Sequence, residues 1–148
     1  MTLAEYGRKY LLEPIGFKNF TWQATIDGST LGSWGILTTP RELAKVGQLV
    51  LDKGKYQGRQ IVPESWISEV LTTKVPQADM GYEFGYLWWI EPGRNWYFML
   101  GHGGQLVILI PQKAMMVVIT SLSNLDDDCN VPIEYHFDWV DKVSMTAY

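Results

Sequence analysis

The chain has 148 residues, 47% of them hydrophobic and 14% aromatic, and a formal net charge of -4. That length suits one domain, residues 1–148, able to bury a core, and the acidic balance without any basic cluster argues against nucleic acid. No apolar run reaches the ~18 residues a membrane span needs, the start MTLAEYGRKY has no signal-peptide core, and the single Cys129 excludes an internal disulfide while leaving the redox compartment open.

In chain order, Leu3 to Pro14 reads as a helix ending near Glu13, because the residue before a proline disfavours helical geometry. Leu3, Tyr6, Tyr10 and Leu11 would share its apolar face, and Thr2 with Glu5 fits a capping box. Ile15-Gly16-Phe17 turns the chain, Phe20 to Ile26 is short and extended, and Asp27 to Gly35 reads as a solvated Gly/Ser connector. A second helix starts with Thr39 as cap and Pro40 in its first position. Leu43, Val46, Gly47 and Val50 continue one face, and Gly54 closes it. Lys55 to Arg59 is a polar turn and Gln60 to Val62 an extended link. Pro63 opens a third helix, with Trp66, Ile67, Val70 and Leu71 apolar, stopping before Pro76. Gln77 to Gly81 is a loop. Tyr82 to Glu91 reads as a strand, and Pro92 to Asn95 turn it into the next.

The longest apolar stretch is Trp96 to Leu122. It reads as two strands joined by a turn at Pro111-Gln112-Lys113. A Gly-His-Gly-Gly knot, residues 101–104, interrupts the first of them. Glycine within a strand weakens it and often marks a bulge or a close approach by a ligand. Two readings stand: a kinked strand with a buried, hydrogen-bonded His102, or a strand edge lining an active site. Ser123 to Asn130 is an acidic loop. Its Asp126, Asp127 and Asp128 lack the glycine and distal glutamate of a calcium loop, so a solvated loop or helix N-terminus is the better reading. Val131 to Val143 forms a last helix with Ile133, Phe137, Val140 and Val143 toward a sheet. The sum is an α+β fold: N-terminal helices, a three-stranded antiparallel sheet, and a C-terminal helix.

Three stretches together resemble the C-terminal half of the serine β-lactamase-like superfamily, the group of class C β-lactamases, D-alanyl-D-alanine carboxypeptidases, esterases and 6-aminohexanoate-dimer hydrolases. They are YLLEPIGF from Tyr10, GILTTPRELAKVG from Gly35, and GYEFGYLWW from Gly81 followed by GHGGQ from Gly101. The resemblance covers most of the chain in the right order, and it implies a partial β-lactamase/transpeptidase-like fold. In that group a Ser-x-x-Lys supplies the nucleophile and a Lys-Thr-Gly strand completes the pocket. By resemblance, His102-Gly103-Gly104 stands at the latter position. Gln105 would then donate its backbone N–H to the developing oxyanion, His102 would be a donor or proton carrier, and Gly103, Gly104 and Trp88 would line the substrate site.

The departures are as informative. None of Ser29, Ser33, Ser65, Ser68, Ser121, Ser123 and Ser144 has Lys three residues on. The group's second proton-handling motif, Tyr-x-Asn or Ser-x-Asn, is also missing, and Gly103 replaces the usual hydroxyl residue. The resemblance therefore implies the C-terminal part of a serine hydrolase of the esterase and amide-hydrolase branch, inactive alone, whose missing neighbouring strands leave a sheet edge open to a second copy. The substrate would be a small ester or amide. The alternative is a non-catalytic binding or assembly module. No metal or cofactor is expected, since His102, His136 and Cys129 show no ligand-like spacing. Members of the group are often exported, but the chain itself gives no compartment.

Overall fold

A computed structural model of the chain describes residues 1–77, 81–121 and 132–146. The acidic loop read at 123–130, with Cys129, and most of the loop read at 77–81 lie outside these residues.

Thr2 caps α1 (Leu3–Gly7) in a full capping box: its hydroxyl accepts from Glu5 N at 3.2 Å, and the Glu5 carboxylate accepts from Thr2 N at 2.7 Å. The chain then runs on as one π-helical turn, Arg8–Leu12, in which Glu13 N donates to Arg8 O at 2.9 Å. The wider turn rotates the residues beyond it about the helix axis. The inward residues are Gly7, Leu12, Ile15 and Phe17, while Leu3, Tyr6 and Tyr10 are exposed. Of the face expected from simple helical spacing, Leu3, Tyr6 and Tyr10 point to solvent and Leu11 alone packs against the core. Gly7 packs so closely on Trp22 that a Cβ there would come within 2.8 Å of its ring.

β1 (Phe20–Trp22) pairs with β2 (Ile36–Thr38), so the segment around the Gly/Ser connector closes into a small ribbon. Thr39 then caps α2 (Pro40–Leu51), accepting from Glu42 N at 3.4 Å. Gly54 follows at φ 82°, the left-handed geometry expected of it. The polar turn at Lys55 to Arg59 is a hairpin, β3 (Lys55–Tyr56) with β4 (Arg59–Gln60). α3 (Glu64–Val70) stops well before Pro76, because Val75 to Gln77 is already a strand.

The main sheet has six antiparallel strands, not three. Their order is β10-β9-β8-β7-β6-β5, with β5 Val75–Gln77, β6 Tyr82–Phe84, β7 Trp89–Glu91, β8 Trp96–Gly101, β9 Gln105–Ile110 and β10 Met115–Ile119. Each strand expected from Tyr82 to Ile110 is cut in two by backbone that cannot stay extended. Between Gly85 and Trp88, Leu87 takes φ 62° and Gly85 packs against the carbonyl of Val70, where a Cβ would collide. At the Gly-His-Gly-Gly knot, Gly103 and Gly104 take φ 80° and 84° and reverse the chain. The knot is a hairpin turn, not an interruption of one strand.

Side chains alternate along the strands. Phe98, Leu106, Ile108 and Ile110 face α4 (Ile133–Thr146), packing with Phe137 and Val140. Val107, Leu109, Met116 and Val118 face α2 and α3, packing with Val50, Ile67, Val70 and Trp88. β9 is therefore buried on both faces, which explains its unbroken apolar run. In α4 the last inward position is Ser144, buried, rather than Val143, which is 40% exposed. Among the described residues β10 ends the sheet, with β9 as its one partner. No helix there is long and apolar enough to cross a membrane.

Candidate functional site

The glycine turn projects from the end of the sheet beyond the last pair of its hairpin, Gly101 with Gln105. Ser121, just past β10, holds it in place. The Ser121 hydroxyl donates to Gly103 O, and the Gln105 carboxamide donates back to Ser121 O at 3.1 Å. These two bonds tie the turn to the third strand of the local ribbon. Gly104 has little space: a Cβ there would sit 3.2 Å from Ser121 Oγ and 3.7 Å from His136 Nε2. His102 is exposed in the turn, so it is not a core histidine.

Between this turn and the start of α4 lies a cleft of about 430 Å³. Leu100, Leu106 and Ile133 supply apolar walls, and His102 and His136 bring two imidazoles to it. The structure thus gathers His102, Gly103 and Gly104 at one place. Gln105 stands next to them, its side chain engaged in bracing. Trp88 stands apart. It is buried on the other face of the sheet against Val50, Ile67 and Val70 and does not line the cleft. Nearby, exposed Tyr86 stacks on Trp66 at 5.6 Å.

Sequence spacing considers His136 only as a metal ligand. Its position three residues after Ile133 and one before the fully buried Phe137 marks it as a helix residue at the edge of the inward face, the signal that identifies it. Among the described residues no group of three or more His, Cys, Asp or Glu is placed to hold a metal ion.

Polar anchors along α4 fix His136 relative to the sheet. Tyr82 OH donates to Glu134 Oε1 at 3.1 Å. Burial, and then the Glu134 carboxylate beside it, push the Tyr82 phenol up to about 12. Arg94, from the β7–β8 turn, donates to Asp141 at 2.9 Å and Asp138 at 3.4 Å, and its guanidinium lies 5.6 Å from the Phe137 ring. The hydrogen bond to Asp141 raises the Arg94 pKa further above its ordinary value. Lys113, from the β9–β10 turn, donates to Ser144 O at 2.7 Å.

An antiparallel sheet with helices on both faces, two N-terminal helical segments and a C-terminal helix define a partial β-lactamase-like α+β fold. A solved structure of this kind, a "putative 6-aminohexanoate-dimer hydrolase" from Bacillus anthracis, superimposes with a TM-score of 0.82 at 24% identity over 98% of the chain. The chain spans 39% of that protein's length. No family model matches the chain, and no curated protein matches it. At this identity the likeness carries the fold.

Proposed function

We propose that the chain forms one wall of a serine hydrolase that acts on a small ester or amide through an acyl-enzyme. The observation that carries this reading is the braced glycine turn at the end of a sheet whose fold is that of a hydrolase structure. Gly103 and Gly104 let a substrate approach the backbone closely, and Gln105 follows as donor of a backbone N–H to the developing oxyanion. His102, exposed on the same turn, would donate or carry a proton.

The nucleophile comes from outside these 148 residues, since none of the seven serines has Lys three residues on and an acyl-enzyme needs nucleophile and activating base together. The chain alone is therefore inactive. Incubation with p-nitrophenyl acetate or nitrocefin, followed by mass spectrometry, should show no burst and no adduct. A stoichiometric acyl-serine would overturn the placement of the nucleophile. The second reading, a non-catalytic module, is favoured by the same missing motif. Reading the coding sequence upstream separates the two: an in-frame Ser-x-x-Lys supports the hydrolase, and its absence supports the module.

A further inference from the structure

We propose that Glu42 latches the N-terminal segment, residues 1–18, to α2, and that acid releases this segment while the main sheet stays folded. Among the described residues, the hydrogen bonds joining the segment to the rest of the chain run from Lys18 N to Glu42 Oε2 at 3.0 Å, from Lys45 Nζ to Gly16 O, and from Ala4 N to Thr30 Oγ at 3.3 Å. All but the last pass through the Glu42–Lys45 ion pair, which closes at 2.8 Å. Glu42 is 6% exposed, so little water competes for its carboxylate. Beneath the latch, Leu12, Ile15 and Phe17 pack on Leu49 in a cluster separate from the two that flank the sheet. On the outside, Leu3, Tyr6 and Tyr10 are exposed and add little to the hold. The segment thus depends on one charged pair and one small apolar cluster.

The Glu42 carboxylate accepts from Lys18 N and from Lys45, and its charge strengthens both bonds. Protonation removes that charge. It leaves the Lys45 ammonium, its side chain 28% exposed, beside a neutral acid, so the group that holds Gly16 O loses its counter-charge. The charged groups facing Glu42 are Lys45 on its own helix and Lys18 on the segment, and Tyr56, from β3, brings its hydroxyl near Gly16 in the same turn. A carboxylate whose pKa is lowered in the closed state contributes to closure above its open-state value, and that contribution is lost as pH falls through the closed one. Strands β8 and β9 are held instead by apolar packing on both faces. The inference stands without the hydrolase reading.

The test is amide hydrogen exchange of the whole chain by mass spectrometry, at about pH 6 and about pH 3, with rates corrected for the intrinsic pH dependence. Opening of residues 1–18 should increase roughly threefold or more in acid, within the limit of about tenfold per pH unit that one proton allows. Peptides from β8 and β9 should keep their protection. Glu5 and Glu13 are the other carboxylates of the segment, and Glu42→Gln separates their effect: the segment should open more than in the wild type at about pH 6 and respond little to acid. Lys45→Met, which removes the ammonium, should flatten the response in the same way, and it decides if Glu42→Gln does not fold by circular dichroism. The proposal is overturned if residues 1–18 keep their protection in acid, if β8 and β9 lose theirs in step with the segment, or if the folded variants retain the wild-type response.

Discussion

Replacing Phe137 with Ala tests whether α4 is docked on the sheet through Phe98 and Trp96. The Phe137 ring is fully buried. It meets Phe98 at 5.2 Å, Trp96 at 5.6 Å and Tyr82 at 5.9 Å, all edge-on, with the Arg94 guanidinium 5.6 Å away. Removing a fully buried phenylalanine costs about 3–5 kcal/mol through lost transfer energy and the cavity left behind. The fixed geometry of these aromatic pairs leaves little room for neighbours to collapse into the space, which places the loss at the upper end. For a chain of this size each kcal/mol shifts the melting temperature by roughly 2–4 °C, so a fall of roughly 10–20 °C is expected. Urea unfolding followed by tryptophan fluorescence measures the same quantity, with Trp96 as a reporter beside the lesion. Phe137→Leu, closer in volume, should cost much less. A loss below about 1 kcal/mol for the Ala variant would mean that α4 does not pack on Phe98 and Trp96, and the position of His136 would fall with it.

Gly104→Ala should destabilise by about 1–2 kcal/mol, because φ 84° is a left-handed conformation that an L side chain resists; an unchanged urea midpoint would contradict the turn geometry. Glu42 is held below its ordinary 4.5, first by the hydrogen bond from Lys45 at 2.8 Å and also by Lys18 N at 3.0 Å. A lowered carboxylate stabilises the fold above its unfolded value and loses that contribution as pH falls through the folded one. Stability should therefore drop below about pH 4.5, and Glu42→Gln should flatten that acid limb; an unchanged limb would refute the assignment. Tyr82 works in the opposite direction. Raised to about 12, its phenol contributes stability that is present below pH 10 and lost as pH rises toward 12, and Tyr82→Phe should remove this alkaline loss. Among the described residues the end strand β10 is paired on one side only, so we propose that the chain self-associates; sedimentation should show a dimer or larger species, and a monomer at every concentration would rule this out.

Helix starts are legible in the sequence because capping is local chemistry. Thr2 with Glu5, and Thr39 with Pro40, act within three residues of themselves, and no distant contact is needed to use them. The face of the first helix is not legible, since local spacing does not show the π-helical turn after Gly7 or the packing of that glycine on Trp22, fifteen residues away in the chain. The three-strand count fails for a related reason. Residues 82–91 and 96–110 have the composition of long strands, and only the positive φ at Leu87, Gly103 and Gly104 breaks them. Glycine signals the second break correctly as a special place but not as a chain reversal. The resemblance makes Trp88 a pocket residue, yet it is buried in the core with Val50, Ile67 and Val70. His136 is hidden because its role depends on where α4 docks, a long-range property. The His102-Gly103-Gly104 cluster is the most legible part of the site, because three consecutive turn residues stay together in any fold. The Gln105 side chain has no role that local sequence would suggest; its bond to Ser121 makes it part of the brace.

We propose that this chain is one wall of a serine hydrolase. Its most direct test is mass spectrometry of the longer polypeptide encoded with the upstream reading frame, after treatment with p-nitrophenyl acetate. One acetyl group is expected, on a serine of a Ser-x-x-Lys motif outside these 148 residues. Acetylation should be much slower in Gln105→Pro, which removes the backbone N–H and with it roughly 10²–10³ in rate. No acetylation, or acetylation on one of the seven serines within the chain, would contradict it.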